Sequence, residues 1–158
     1  MYSIPRRQSG ATLVEMAIIA PVFLLVLVAI IELSMMFFAT LTMQYAVREG
    51  GRFAITGRCS ETGAANQQRF NTVIARIRDN SMGMYDRTSP VISVNGTQYS
   101  TKTYSNAMFG AAGDILVIQL DSSWPVSTPL LSSFFTNGVY RFTVAATMRN
   151  EIFQSCNV

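Results

Sequence analysis

The chain has 158 residues, a formal net charge of +3 and no histidine, which is about one domain's worth of sequence. Eleven arginines and the single lysine, Lys102, are spread thinly along it, so no basic stripe forms and nucleic acid is not an expected partner. Without histidine the commonest general base and metal ligand are missing, and neither a metal nor a cofactor is expected.

Residues 1–10 read as a short basic leader whose only charges are Arg6 and Arg7. After it, Met16 to Ile31 is MAIIAPVFLLVLVAII, sixteen residues without a charge. Three interpretations compete for this segment. A cleaved secretory signal needs a small-x-small site after the apolar run, but the chain continues as ELSMMFFATLTMQYA, still apolar and helix-forming. A buried core helix is disfavoured because Val22 to Ile31 is apolar on every face, and about 100 remaining residues cannot wrap it. A membrane-spanning helix fits best. Ala11 to Ile31 is 21 residues, about 31 Å long at 1.5 Å per residue, against a hydrocarbon core of about 30 Å. Arg6 and Arg7 precede the run and the next cation is Arg48, which predicts the N-terminus inside and the rest outside.

Glu15 does not belong to a plain tether. A carboxylate at mid-bilayer costs about 2.5–3.5 kcal/mol on insertion scales, and less near an interface, so Glu15 calls for a partner, a function or an interfacial position. Pro21 removes a backbone donor and predicts a kinked or loosened helix. Glu32 follows 17 residues after Glu15, about 25 Å along the axis; the two cannot form a catalytic pair. Glu32 reads as a marker of the outer interface, with pairing between subunits as the second reading.

From Leu33 the helix is expected to continue to about Ile55 and stop at Gly57, giving a transmembrane and stem helix over 11–57. Met36, Phe37, Leu41, Ala46 and Val47 form its apolar stripe. An exported domain over 58–158 follows. Asn66 to Asn80 carries Phe70, Val73, Ile74 and Ile77 at helical spacing; Ser81 to Pro90 reads as loop. Val91 to Val94 and Thr97 to Tyr104 flank Asn95-Gly96, a strong signal for a hairpin. Asp114 to Asp121 reads as a central strand, Pro125 and Pro129 interrupt, Leu130 to Phe135 reads as a short helical turn, and Val139 to Met148 as a final strand. The expected fold class is α+β: a long N-terminal helix, then an antiparallel sheet of about four strands with one packed helix.

Cys59 and Cys156 form no CxxC pattern. In an oxidising compartment they are a disulfide candidate, closing a loop of about 100 residues for roughly 4–5 kcal/mol in the chain-entropy model; the alternative is two unpaired thiols. No catalytic residues are expected. Single serines lack a histidine base and sit in no GxSxG context. Asp114 and Asp121 read as turn caps. Trp124 with Tyr104, Phe109, Phe134, Phe135 and Tyr140 reads as core.

Gly10, then a small residue, two further residues and Glu15 after Val14, resembles the cleavage region of type IV pilin-like proteins. The resemblance implies that a prepilin peptidase cuts between Gly10 and Ala11. The new amine of Ala11 would lie one helical turn from Glu15, and in a bundle Glu15 of one subunit would neutralise the amine of its neighbour. Glu15, Pro21, Glu32, the continuation AVREGGRFAITG and the C-terminal GDILVIQL and VAATMRNEIF together resemble the TadE family, minor pilin-like proteins of the tight-adherence (Tad/Flp) pilus. Most pilin-like proteins have Phe where this chain has Ala11. The resemblance implies a non-enzymatic subunit that takes part in initiating or assembling the pilus. It implies an inner-membrane location, with the N-terminus cytoplasmic and the domain periplasmic. The implied partners are the inner membrane, other minor pilin-like subunits, the pilus assembly platform and the prepilin peptidase. Two alternatives stand beside it: a pseudopilin of a type II-like secretion system, and a bitopic anchored binding protein.

Overall fold

The computed structural model describes residues 9–57, 68–100 and 103–152. Its first element is one helix, α1, over Ser9–Ile55, which runs through Pro21 without interruption. The apolar run and the stem are therefore one continuous rod, ended where Gly57 takes a positive φ of 60° that an L residue adopts only at a cost.

The domain packs on the second half of this rod. Helix α2 (Gln68–Asn80) buries Val73 and Ile77 and half-buries Phe70 and Ile74, the face its spacing predicts. The stretch expected as loop before the sheet holds a further short helix, α3 (Met84–Thr88). Met82 and Gly83 both take positive φ, and the Ser81 hydroxyl accepts the Tyr85 amide. A single turn of this kind is too short to show a period.

Strands β1 (Val91–Val94), β2 (Thr97–Tyr99), β3 (Ile115–Pro125) and β4 (Val139–Arg149) form one sheet in the order β2-β1-β3-β4, antiparallel at every pairing. The α+β expectation holds. Asn95 and Gly96 have φ of 50° and 81°, as the two central positions of a type I′ turn require. The second arm is shorter than expected. Thr103 turns back on Ser100, donating its amide to the Ser100 carbonyl and accepting the Ser100 amide on its hydroxyl, so the chain leaves the ladder after Tyr99.

Along β3 Leu116, Ile118, Leu120, Ser122 and Trp124 point inward, and Phe142, Val144 and Ala146 do so on β4. Alternation of period two thus places one face of the sheet on the core. That core is closed by α1 and α2. Most of the aromatic group read as core lies within it or against it, with Phe109 and Trp124 buried and Tyr104, Phe135 and Tyr140 packed on it. Phe134 does not; it is exposed, because it sits on the loop between β3 and β4, beyond the edge of the sheet.

The stem face also differs from the expected stripe. Met36, Ala46 and Val47 are buried, but Phe37 and Leu41 are exposed. The face turned to the domain is Glu32, Met36, Ala39, Met43, Ala46, Val47, Gly50, Gly51 and Ala54, recurring every three or four residues. Small side chains line it because α2 and the sheet both approach α1 closely there. A Cβ on Gly50 would collide with Ile77 Cγ1 and one on Gly51 would meet the end of Met148.

Candidate functional site

Along α1 the environment changes sharply at residue 32. No residue from Gly10 to Ile31 is buried in the fold, whereas every third or fourth residue from Glu32 to Ala54 is. Among the described residues, then, nothing buries the apolar side chains of this first segment. This is one N-terminal apolar helix compatible with a single-pass membrane anchor. Gly10 and Ala11 lie exposed in its first turns, and Glu15 is exposed one turn further. Among the described residues no ion pair reaches Glu15. Cys59 and Cys156 lie outside the described residues.

Glu32 is where the rod meets the domain. Its carboxylate is buried and accepts three hydrogen bonds: from the Ser127 amide, from the Thr128 amide at 2.9 Å and from the Thr128 hydroxyl. Burial alone would raise the Glu32 pKa. The Thr128 hydroxyl and the two amides outweigh it and hold the carboxyl below its ordinary value. Thr128 is the residue before the short helix α4 (Pro129–Ser132) and makes no side-chain cap on it; its hydroxyl is turned to Glu32 instead. The residue read as a marker of the interface, or as a contact between subunits, has both oxygens engaged within its own chain. Sequence reasoning missed this because the two partners are 95 and 96 residues apart. The donors Ser127 and Thr128 lie in a stretch read only as interrupted by Pro125 and Pro129.

The far end of the stem is held in a comparable way. Arg69 of α2 is buried. It donates through Nε at 3.2 Å and Nη2 at 2.6 Å to the Ala54 carbonyl, near the C-terminus of α1, and its guanidinium stacks 5.3 Å from the Phe109 ring centroid. Burial lowers its pKa, but two bonds to the negative end of a helix retain the cation. Between these ends, Gln44 donates to the Ala145 carbonyl of β4 at 2.9 Å. The carboxylates read as turn caps divide: Asp114 accepts the Ala111 amide at 2.8 Å, while Asp121 bridges Gln119 and, across the strands, Thr143.

Residues 10–52 match the family model described as TadE-like protein. That stretch is α1 almost end to end, and is 43 of the 158 residues (52 − 10 + 1). It contains Gly10, Glu15, Pro21 and Glu32; the C-terminal likenesses lie outside it. No curated protein and no solved structure matches the chain.

Proposed function

We propose that this chain is a minor, TadE-like pilin subunit that takes part in initiating or assembling a Tad/Flp pilus. In this reading α1 is stored in the inner membrane with its N-terminus cytoplasmic and the domain periplasmic. Prepilin peptidase cuts after Gly10, and the helix packs with those of other minor pilin-like subunits on the assembly platform. TadE-like proteins are pilus-associated and not an enzyme family, so the chain acts by binding.

One observation carries the proposal. The segment matching the family model coincides with a helix whose first half, among the described residues, has no buried residue and whose second half is the spine of the domain. A tether needs only the first half. A subunit that must hold its domain at a set height within a bundle needs both halves in one rod. Glu15 fits the same scheme, since an exposed carboxylate in an apolar helix is retained at a cost unless another chain supplies its partner.

The test is the mature N-terminus. Sequencing the chain from membranes with and without the prepilin peptidase should give Ala11 in the first case and an uncut leader in the second. An uncut chain in cells that still assemble pili overturns the processing step. Glu15→Leu separates subunit from tether. It should anchor as well as the parent or better but fail to assemble; unchanged assembly would leave only a bitopic binding protein. Association with a type II-like machine instead of a Tad pilus would move the chain to the pseudopilin reading.

A further inference from the structure

The loop between β3 and β4 carries an apolar surface that the fold does not use. From Ser122 to Tyr140 there are nineteen residues without a charge. Within them Leu130 is 50% and Phe134 79% exposed, on α4 and the turn that follows it. Phe135 beside them is packed edge-on against Tyr140 at 6.0 Å, so the outward aim of Phe134 is fixed by an ordered neighbour. The connection itself, residues 126–138, and the strand ends that flank it are all uncharged, and an exposed apolar patch free of charge suits a lipid surface.

Its position explains the composition. Ser127 and Thr128, at the start of the loop, are bonded to Glu32, the residue at which the bare part of α1 ends. Apolar exposure on α1 continues past this level, with Leu33 at 51% and Phe37 at 65%. The opposite end of the sheet lies far away. Glu151 donates its amide to the Ile55 carbonyl, and Ile115 pairs with Arg149 at that end, 23 residues further along α1 or about 35 Å.

We propose that the Pro129–Phe135 loop is a second membrane contact, dipping Leu130 and Phe134 into the interfacial region of the outer leaflet beside the anchor. This rests on the anchor reading of α1. The loop would then pin the base of the domain to the bilayer surface, and Glu32 would sit under it, shielded from water.

Depth-dependent quenching tests the assignment on the full chain in phosphatidylcholine–phosphatidylglycerol vesicles containing lipids brominated high on the acyl chain. Trp124 is the single native tryptophan and is buried, so its emission is a fixed background. Three reporters are compared: Phe134→Trp, Ile115→Trp and Leu27→Trp. Phe134→Trp should lose at least about half of its added emission, as expected for a side chain buried in the interface, while Ile115→Trp, also exposed, should lose almost none. If Leu27→Trp is quenched and Phe134→Trp is not, the loop proposal falls and the anchor stands. If neither is quenched, both fall. Emission of Phe134→Trp that shifts with protein-to-lipid ratio, without quenching, assigns the patch to another protein chain and overturns the lipid contact.

Discussion

Replacing Gly50 by alanine tests how closely the domain is fitted to its stem. An added Cβ would fall well inside contact distance of Ile77 Cγ1, 3.0 Å from Ile77 Cδ1 and 3.4 Å from the Val73 carbonyl oxygen. Carbon atoms normally pack at about 3.5–4.0 Å. Ile77 and Val73 are both buried, so relief requires an off-rotamer Ile77 or a shift of α2, and overpacking of this kind costs about 1–3 kcal/mol. Alanine returns about 1 kcal/mol of helix propensity, leaving a net loss of up to about 2 kcal/mol. Gly51 supplies the control. Its added Cβ would meet Met148 Cε and Sδ at 3.3 Å, the flexible end of a side chain that swings away at little cost. Both glycines lie in the same helix interior, so the propensity gain cancels between them. Gly50→Ala should therefore be less stable than Gly51→Ala by about 1–3 kcal/mol. Urea unfolding of the full chain in detergent, followed by Trp124 fluorescence, measures the difference. Adding Gly50→Ala to an Ile77→Ala chain should no longer carry a penalty. Equal stability of the two alanine variants would refute the packing described for α1 and α2.

Three further outcomes follow from the polar contacts. Arg69→Lys keeps the charge but loses the two-point hold on Ala54 and the stacking on Phe109, and should cost about 1–3 kcal/mol in the same assay; a variant as stable as the parent would show the contact to be idle. Glu32 has its carboxyl held below its ordinary value of 4.5, so its contribution is present above that pH and is lost as pH falls through the lower folded-state value. The urea midpoint should fall on acidification below about pH 4.5 and this part of the decline should disappear in Glu32→Gln; an unchanged profile would remove Glu32 from it. Asn95→Ala gives up the bond from the Val117 amide to Asn95 Oδ1 and a residue tolerant of positive φ, and should cost about 1–3 kcal/mol. Asn95→Gly, which keeps the turn conformation, should cost clearly less; the reverse order would show that the turn does not limit stability.

The features legible in the sequence are those whose causes are local. Phe70, Val73, Ile74 and Ile77 announce α2 because helical spacing is a property of thirteen consecutive residues. Asn95-Gly96 announces its hairpin because only a few residues accept two positive φ angles. Features that depend on distant parts of the chain were read wrongly or not at all. The stem stripe was read through its largest apolar residues, Phe37 and Leu41. Yet a helix that must approach both α2 and the sheet closely selects Ala39, Ala46, Gly50 and Gly51 for that side and leaves Phe37 and Leu41 outside. The bonds that Glu32 makes within its own chain were not read, because their donors lie about ninety-five residues on. The role of Arg69 was not read at all, because nothing local shows that a helix end is waiting for it. Phe134 looked like core by composition alone. Of the candidate site, Gly10, Glu15 and Pro21 were legible as motif positions; the coupling of rod to domain was not.

That coupling has a mechanical meaning. With one uninterrupted helix from Ser9 to Ile55, and with Glu32, Gln44 and Arg69 fastening the domain along it, no loop separates the bare apolar segment from the part that carries the domain. The domain is geared to that segment. Each degree by which the rod turns about its axis is a degree of heading for the sheet, and each ångström it rises lifts the sheet by the same amount. Inserting one residue between Ile31 and Glu32 would advance the domain by about 1.5 Å and rotate it by about 100° relative to Glu15. Register within a helical bundle would then be read directly as the bearing of the outer surface.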